Sequence, residues 1–142
     1  MSTDDADADA GRTDYAIHTD IAFSPLERID VAQVAAACRE KWFNQTLCRV
    51  NDCVIRLGIL CGEFHWHKHS REDEFFYVIE GRLLLDLDPQ GAAEAASPGR
   101  TVSLGAGVGF SVPRGVVHRT RAPERTVVMM IEGAGVVPTG DA

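Results

Sequence analysis

Nothing in the 142-residue sequence approaches the roughly 20 consecutive apolar residues that a membrane helix requires. Basic residues are in deficit. Fourteen Lys and Arg stand against 21 Asp and Glu, a formal net charge of −7, so no basic face is on offer to nucleic-acid phosphates. Cys38, Cys48, Cys53 and Cys61 contain no Cys-x-x-Cys pair, which argues against a zinc knuckle. Their apolar surroundings make them small buried hydrophobes of a reducing compartment. The N-terminus has neither the basic start nor the apolar stretch of a secretory signal, so the sequence predicts a cytoplasmic protein. There is no internal repeat and no sign of a second domain, and the length suits a single core.

Residues 1–14 carry more than half of the net negative charge and too few apolar side chains to offset the entropy of ordering, which predicts a disordered acidic tail. Residues 15–142 are then one domain. Asp30 is placed as the N-cap of a short helix, with Gln33 completing a capping box. Val31, Val34, Ala35, Cys38 and Trp42 follow at helical spacing and predict a stripe packed outside the main body.

From Asn44 onward the pattern is all-β. Strands are predicted at Thr46–Val50 and Cys53–Leu60 around an Asn51-Asp52 hairpin, then at Glu63–His69, Glu74–Ile79 and Arg82–Asp88. Further strands are predicted at Thr101–Leu104, Gly109–Val112, Val117–Arg121 and Thr126–Ile131. Many short strands with Gly and Pro at the joints indicate a sandwich or barrel. Asp88–Arg100 is the longest loop, predicted to be a mobile hairpin tip.

Within this pattern, alternation along Glu63–His69 puts His65, His67 and His69 on one face. Three imidazoles are poor core filling, because each brings ring nitrogens that need partners. They suit a first-row divalent metal instead. Glu74 opens the next strand, and His118 follows the tight turn at Pro113 and Gly115. The same alternation turns Thr120 and Ala122 toward His118's side and Arg119 and Arg121 away from it.

The run His67-x-His69, four residues, Glu74, six residues, Gly81 resembles the first motif of the cupin family. Gly107, five residues, Pro113-x-Gly115, two residues, His118 resembles the second. The likeness is to small single-domain cupins of the mannose-6-phosphate isomerase-like type. It implies a double-stranded β-helix (jelly-roll) barrel with a short N-terminal helix, and one divalent metal on His67, His69, Glu74 and His118. It also implies a homodimer. Two positions depart from the family: Gly62 stands one residue nearer the first ligand than usual, and Ala122 replaces a customary Asn. His65-x-His67 with Glu72 repeats the ligand spacing, but its closing position is Ile79, whereas the chosen register meets Gly81. His65 is left as an extra inward histidine, either a candidate acid–base or a spectator bonded to neighbouring backbone.

Three imidazoles and a carboxylate leave two positions open on an octahedral ion, and Fe(II), Mn(II), Ni(II) and Zn(II) all suit the set. The first functional expectation is a non-haem iron-dependent dioxygenase acting on a small polar molecule, with Phe76 and Val78 as apolar walls. The alternatives are a metal-dependent sugar isomerase, epimerase or cyclase, and a non-catalytic small-molecule-binding cupin. Among Arg56, Arg82, Arg114, Arg119, Arg121 and Arg125 there is room for an anion clamp, although solvent or a subunit contact accounts for most of them.

Overall fold

A computed structural model describes residues 15–88 and 99–140. The expectations for the acidic tail and for most of the Asp88–Arg100 loop lie outside those residues. Eight strands and one helix follow in the order β1 (Ala16–His18), α1 (Val31–Ala37), β2 (Phe43–Val50), β3 (Cys53–Glu63) and β4 (Glu74–Glu80). The chain continues with β5 (Arg82–Asp88), β6 (Arg100–Gly105), β7 (Gly109–Val112) and β8 (Val117–Gly133). The chain is mostly β with one short helix, as its sequence predicts. Strands are hydrogen-bonded in the order β1-β2-β3-β8-β4-β7, and β5 joins β8 while carrying β6 on its far side.

β8 organises everything else. The sequence predicts two strands here with a joint at Ala122–Arg125, yet one 17-residue strand runs through the joint. Its first part pairs with β5, Val117 to Arg121 against Asp88 to Leu84, and its second part pairs with β4, Val127 to Glu132 against Glu80 to Glu74. β3 follows its other edge from Gly133 back to Arg121. The expected joint survives only as a bulge, between the pairs Leu60↔Thr126 and Gly62↔Ala122, where exposed Pro123 gives up no ladder bond.

Glu80-Gly81 is likewise a corner rather than a hairpin turn. β4 and β5 are each paired with β8 and bend together across Gly81, which adopts a φ of 91°. A Cβ at Gly81 would stand 2.5 Å from Thr126 Oγ1 and 2.9 Å from Arg125 O. The Thr126 hydroxyl is itself used here, accepting from Arg82 N at 3.1 Å.

Glu63–His69 is not a regular strand. β3 ends at Glu63, and the following residues keep a single bridge, His67↔His118. Even-numbered residues of β3 face the barrel interior, and odd-numbered Leu57 and Ile59 face outward, where α1 covers them through Ala35, Val31, Val34 and Cys38. Asp30 caps α1, its Oδ1 accepting from Gln33 N at 3.0 Å. Trp42 lies beyond the helix and packs edge-on to Tyr15 instead. The interior core is Phe76, Val78, Leu83, Leu85, Leu104, Val112, Val128 and Met130. The cysteines are free thiols; Cys53 is exposed and Cys38, Cys48 and Cys61 are half-buried, so none is the buried hydrophobe that the sequence predicts. Among the described residues no helix is long and apolar enough to cross a membrane.

Replacing Gly81 with Ala forces both a left-handed backbone and a clash with Thr126, and is expected to cost about 2–3 kcal/mol. Thermal melts of the two proteins measure the loss, and an unchanged midpoint contradicts the corner.

Candidate metal centre

Strand pairing alone delivers three of the four predicted ligands. The bridge exchanges His67 N to His118 O at 2.9 Å and His118 N to His67 O at 2.8 Å, so these two imidazoles stand side by side. Glu74 enters from β4 opposite Glu132 of β8. His69 is fixed from the turn at Pro113, where Gly115 N donates to His69 O at 2.8 Å, and Arg114 N donates to Asp73 Oδ1 at 2.9 Å. The side-chain ligand atoms of His67, His69, Glu74 and His118 then all lie within 4.8 Å of one another. His69, Glu74 and His118 are buried, and His67 is half-buried.

The hydrogen bonds settle the tautomers of two histidines. His67 Nδ1 stands 3.0 Å from His65 O and His118 Nδ1 stands 2.9 Å from Val116 O. A carbonyl only accepts, so both Nδ1 atoms carry hydrogen and both Nε2 atoms present lone pairs. His118 Nε2 is 3.3 Å from Glu74 Oε1, and His69 Nε2 is 3.6 Å from the same oxygen. Lone pairs and a carboxylate converging in a dry interior repel one another unless a cation lies among them, so the donor set fits a divalent metal. Burial and then the neighbouring His118 lower the pKa of His67 to about 4, which keeps its ring neutral and available to a metal at neutral pH.

Behind Glu74 lies a pair of residues to which the sequence gives no role at the site. Arg56, expected at solvent or a subunit contact, is buried. Its Nη1 donates to Glu132 Oε1 at 2.7 Å and to Val136 O at 3.0 Å, and its Nε donates to Thr46 Oγ1 at 3.2 Å. Glu132 Oε2 is buried with no donor facing it. Burial and the adjacent Glu74 raise the pKa of Glu132, which favours its protonated form beside the Glu74 carboxylate. Burial alone would raise Glu74 as well, but the polar groups around it, Glu132 first, outweigh burial and hold Glu74 well below the usual carboxylate range. Two acidic residues at facing positions of β4 and β8, both on the interior parity, are the sequence signal for this pair.

Other predicted groups lie apart. His65 is exposed and outside the cluster, with Nε2 donating to Thr139 O at 2.7 Å and Nδ1 3.4 Å from the Tyr15 hydroxyl. This is the neighbouring-backbone arrangement, and inward placement is corrected. Arg119 and Arg121 do point away from His118, onto Asp86, and Arg119 also covers Trp66 at 4.9 Å. Hydrogen bonding to Arg121 is the largest influence on Asp86 and lowers its pKa. Arg125 donates to Ala35 O and Arg82 to Ser103 Oγ. Residues after β8 return over the site, where a Cβ on Gly140 would meet His67 Cβ at 2.5 Å.

Metal content by elemental analysis checks the set. His118→Ala and Glu74→Ala are expected to lose the metal and stay folded, and His65→Ala to keep it. Glu132→Ala is expected to weaken affinity about 10- to 100-fold. Because folding depresses the His67 pKa, neutrality at this ring favours the fold fully above about 6.5. That contribution fades as pH falls toward 4, and metal retention and apoprotein stability should decline together across this window. Retention unchanged at pH 4.5 contradicts the assignment.

The cupin domain family matches residues 61–133. The Bacillus subtilis (strain 168) uncharacterized protein YdbB is 37% identical over 99 residues, 70% of this chain and 80% of that protein. Among solved structures, a cupin-2 domain protein of Shewanella frigidimarina is 28% identical with a TM-score of 0.64, covering 74% of this chain and 93% of that one. Protein NMB1881 of Neisseria meningitidis is 27% identical with a TM-score of 0.62, covering 75% and 99%.

Proposed function

This chain belongs to the cupin domain family, and we propose that it is a metal-dependent enzyme of that family acting on a small molecule. In this reading one divalent ion sits on His67, His69, Glu74 and His118, and the reaction is a non-haem iron dioxygenation. The supporting observation is a four-donor set backed by a dry apolar wall. The Phe76 ring lies 6.1 Å from His118, and Phe76 and Val78 are both buried. When bound, an iron ion supplies one-electron chemistry and open positions for substrate and dioxygen. The chain's own residues hold the four donors, fix the Nδ1 hydrogens of His67 and His118 on backbone carbonyls, and exclude water with Phe76, Val78 and Val128.

An isomerase, epimerase or cyclase would also need a base near the metal. His65, the candidate for that role, has its Nε2 committed to Thr139 O. This favours the oxygenase reading over proton transfer. Protein loaded anaerobically with Fe(II) is expected to consume oxygen only when a suitable small molecule is added, and the zinc form is expected to consume none. Conversion of the same molecule at equal rate by the zinc form without oxygen contradicts the proposal.

The proposal places the protein in the cytoplasm, where its four free thiols stay reduced. It also includes a homodimer. Tyr77 and Ile131 are exposed on the outer face of β4 and β8, beside half-buried Phe75 and Met129, past the end of the α1 cover. A second copy of this face is its occupant. Light scattering at twice the chain mass supports this, and a monomer that persists at high concentration contradicts it.

A further inference from the structure

Beside His67 the barrel opens into a cleft whose enclosed part measures about 50 Å³, room for a few waters and about a third of the roughly 150 Å³ that encloses a benzene ring, so a ring would lodge in its open mouth. Three aromatic side chains form much of its wall. Tyr15 and Phe64 lie 4.6 Å apart by ring centroids, and Trp42 stands 5.6 Å from each. Leu60 and Met130 extend the apolar surface, and no Lys or Arg is among the lining residues. Arg56, the buried guanidinium of the interior, is already spent on Glu132, Thr46 and Val136.

One wall group asks for a partner. Asn44 lines the cavity, and its Oδ1 is buried without a hydrogen-bond donor. It lies on β2 opposite Gly58 of β3, where the facing residue contributes no side chain to meet it. Buried acceptors are nearly always matched, so Asn44 Oδ1 calls for a donor from whatever fills the cavity, water in its absence and a ligand when one enters.

We infer that the substrate is a small uncharged molecule with a flat apolar body, resting against the surface that the packed rings of Tyr15, Trp42 and Phe64 form and donating an O–H or N–H to Asn44 Oδ1. This rests on the reading that the cavity serves the metal centre at His67. It turns the chemistry away from sugar phosphates, because a phosphate dianion entering this wall would find neither a guanidinium nor an ammonium group.

The test is an NMR titration of zinc-loaded protein, following the Trp42 indole resonance, which a Trp66→Phe variant identifies because the chain has only two tryptophans. Phenol is expected to shift this resonance saturably. Anisole, which lacks the donor, should bind about tenfold more weakly, and mannose 6-phosphate should leave the resonance in place. In Asn44→Ala phenol should fall to the level of anisole. The inference is overturned if phenol causes no shift, if mannose 6-phosphate binds more tightly, or if Asn44→Ala keeps the preference for phenol. Should that variant fail to fold, aniline against N,N-dimethylaniline on the unchanged chain makes the same comparison, and equal binding overturns the inference. Zinc stoichiometry measured on the sample beforehand tests the metal centre separately, so the two readings fail independently.

Discussion

The pairing of β8 with three different partners is the constraint on which this molecule depends. One 17-residue strand binds β3 along one edge and, along the other, β5 and then β4. A strand with two edges can hold two unlike neighbours at each point, and His118 is where this matters. The bridge to His67 lies on one side of it and Leu87 of β5 on the other. Fourteen residues later the same strand places Glu132 opposite Glu74. The sheet bends sharply between these points at Gly81 and at the bulge around Pro123. The bend brings Glu74, carried on β4 beside one half of β8, to the imidazole of His118 on the other half, 3.3 Å apart.

Electrostatics then decide what such a meeting can be. Two Nδ1–H groups are committed to the carbonyls of His65 and Val116, which turns two Nε2 lone pairs toward Glu74. Without a cation this is a cluster of acceptors facing one another; with one it is a coordination sphere. The buried pair Arg56 and Glu132 stands behind it: Arg56 holds Glu132, which faces Glu74 across β8 and β4. Across the interior from this polar layer, the cavity beside His67 is aromatic and carries a single unmatched acceptor, so polarity is concentrated at one end.

Much of this was legible in the sequence because it is carried by local rules. Turn residues, alternation and the spacing of His67, His69, Glu74 and His118 required no knowledge of partners, and all four side chains meet. The differences arise where long-range pairing decides. Alternation predicted a strand through Glu63–His69, with His65 inward. Pairing with β8 thins there to one bridge, so the period of two lapses and His65 turns to Thr139 O. Pro123 and its neighbours read as a joint, but continuous pairing with β3, β4 and β5 carries the strand past them. Arg56 could not be read as buried until Glu132 was placed opposite Glu74. Residues 134–140 show no periodicity, and their contact with His67 and His65 depends wholly on tertiary packing.

The most direct test of the account is anomalous diffraction from crystals grown with zinc, recorded on both sides of its absorption edge. The account predicts one peak in the barrel, about 2.0–2.2 Å from Nε2 of His67, Nε2 of His118, a nitrogen of His69 and an oxygen of Glu74. A barrel without a peak, or a peak whose nearest nitrogen belongs to His65, would contradict it.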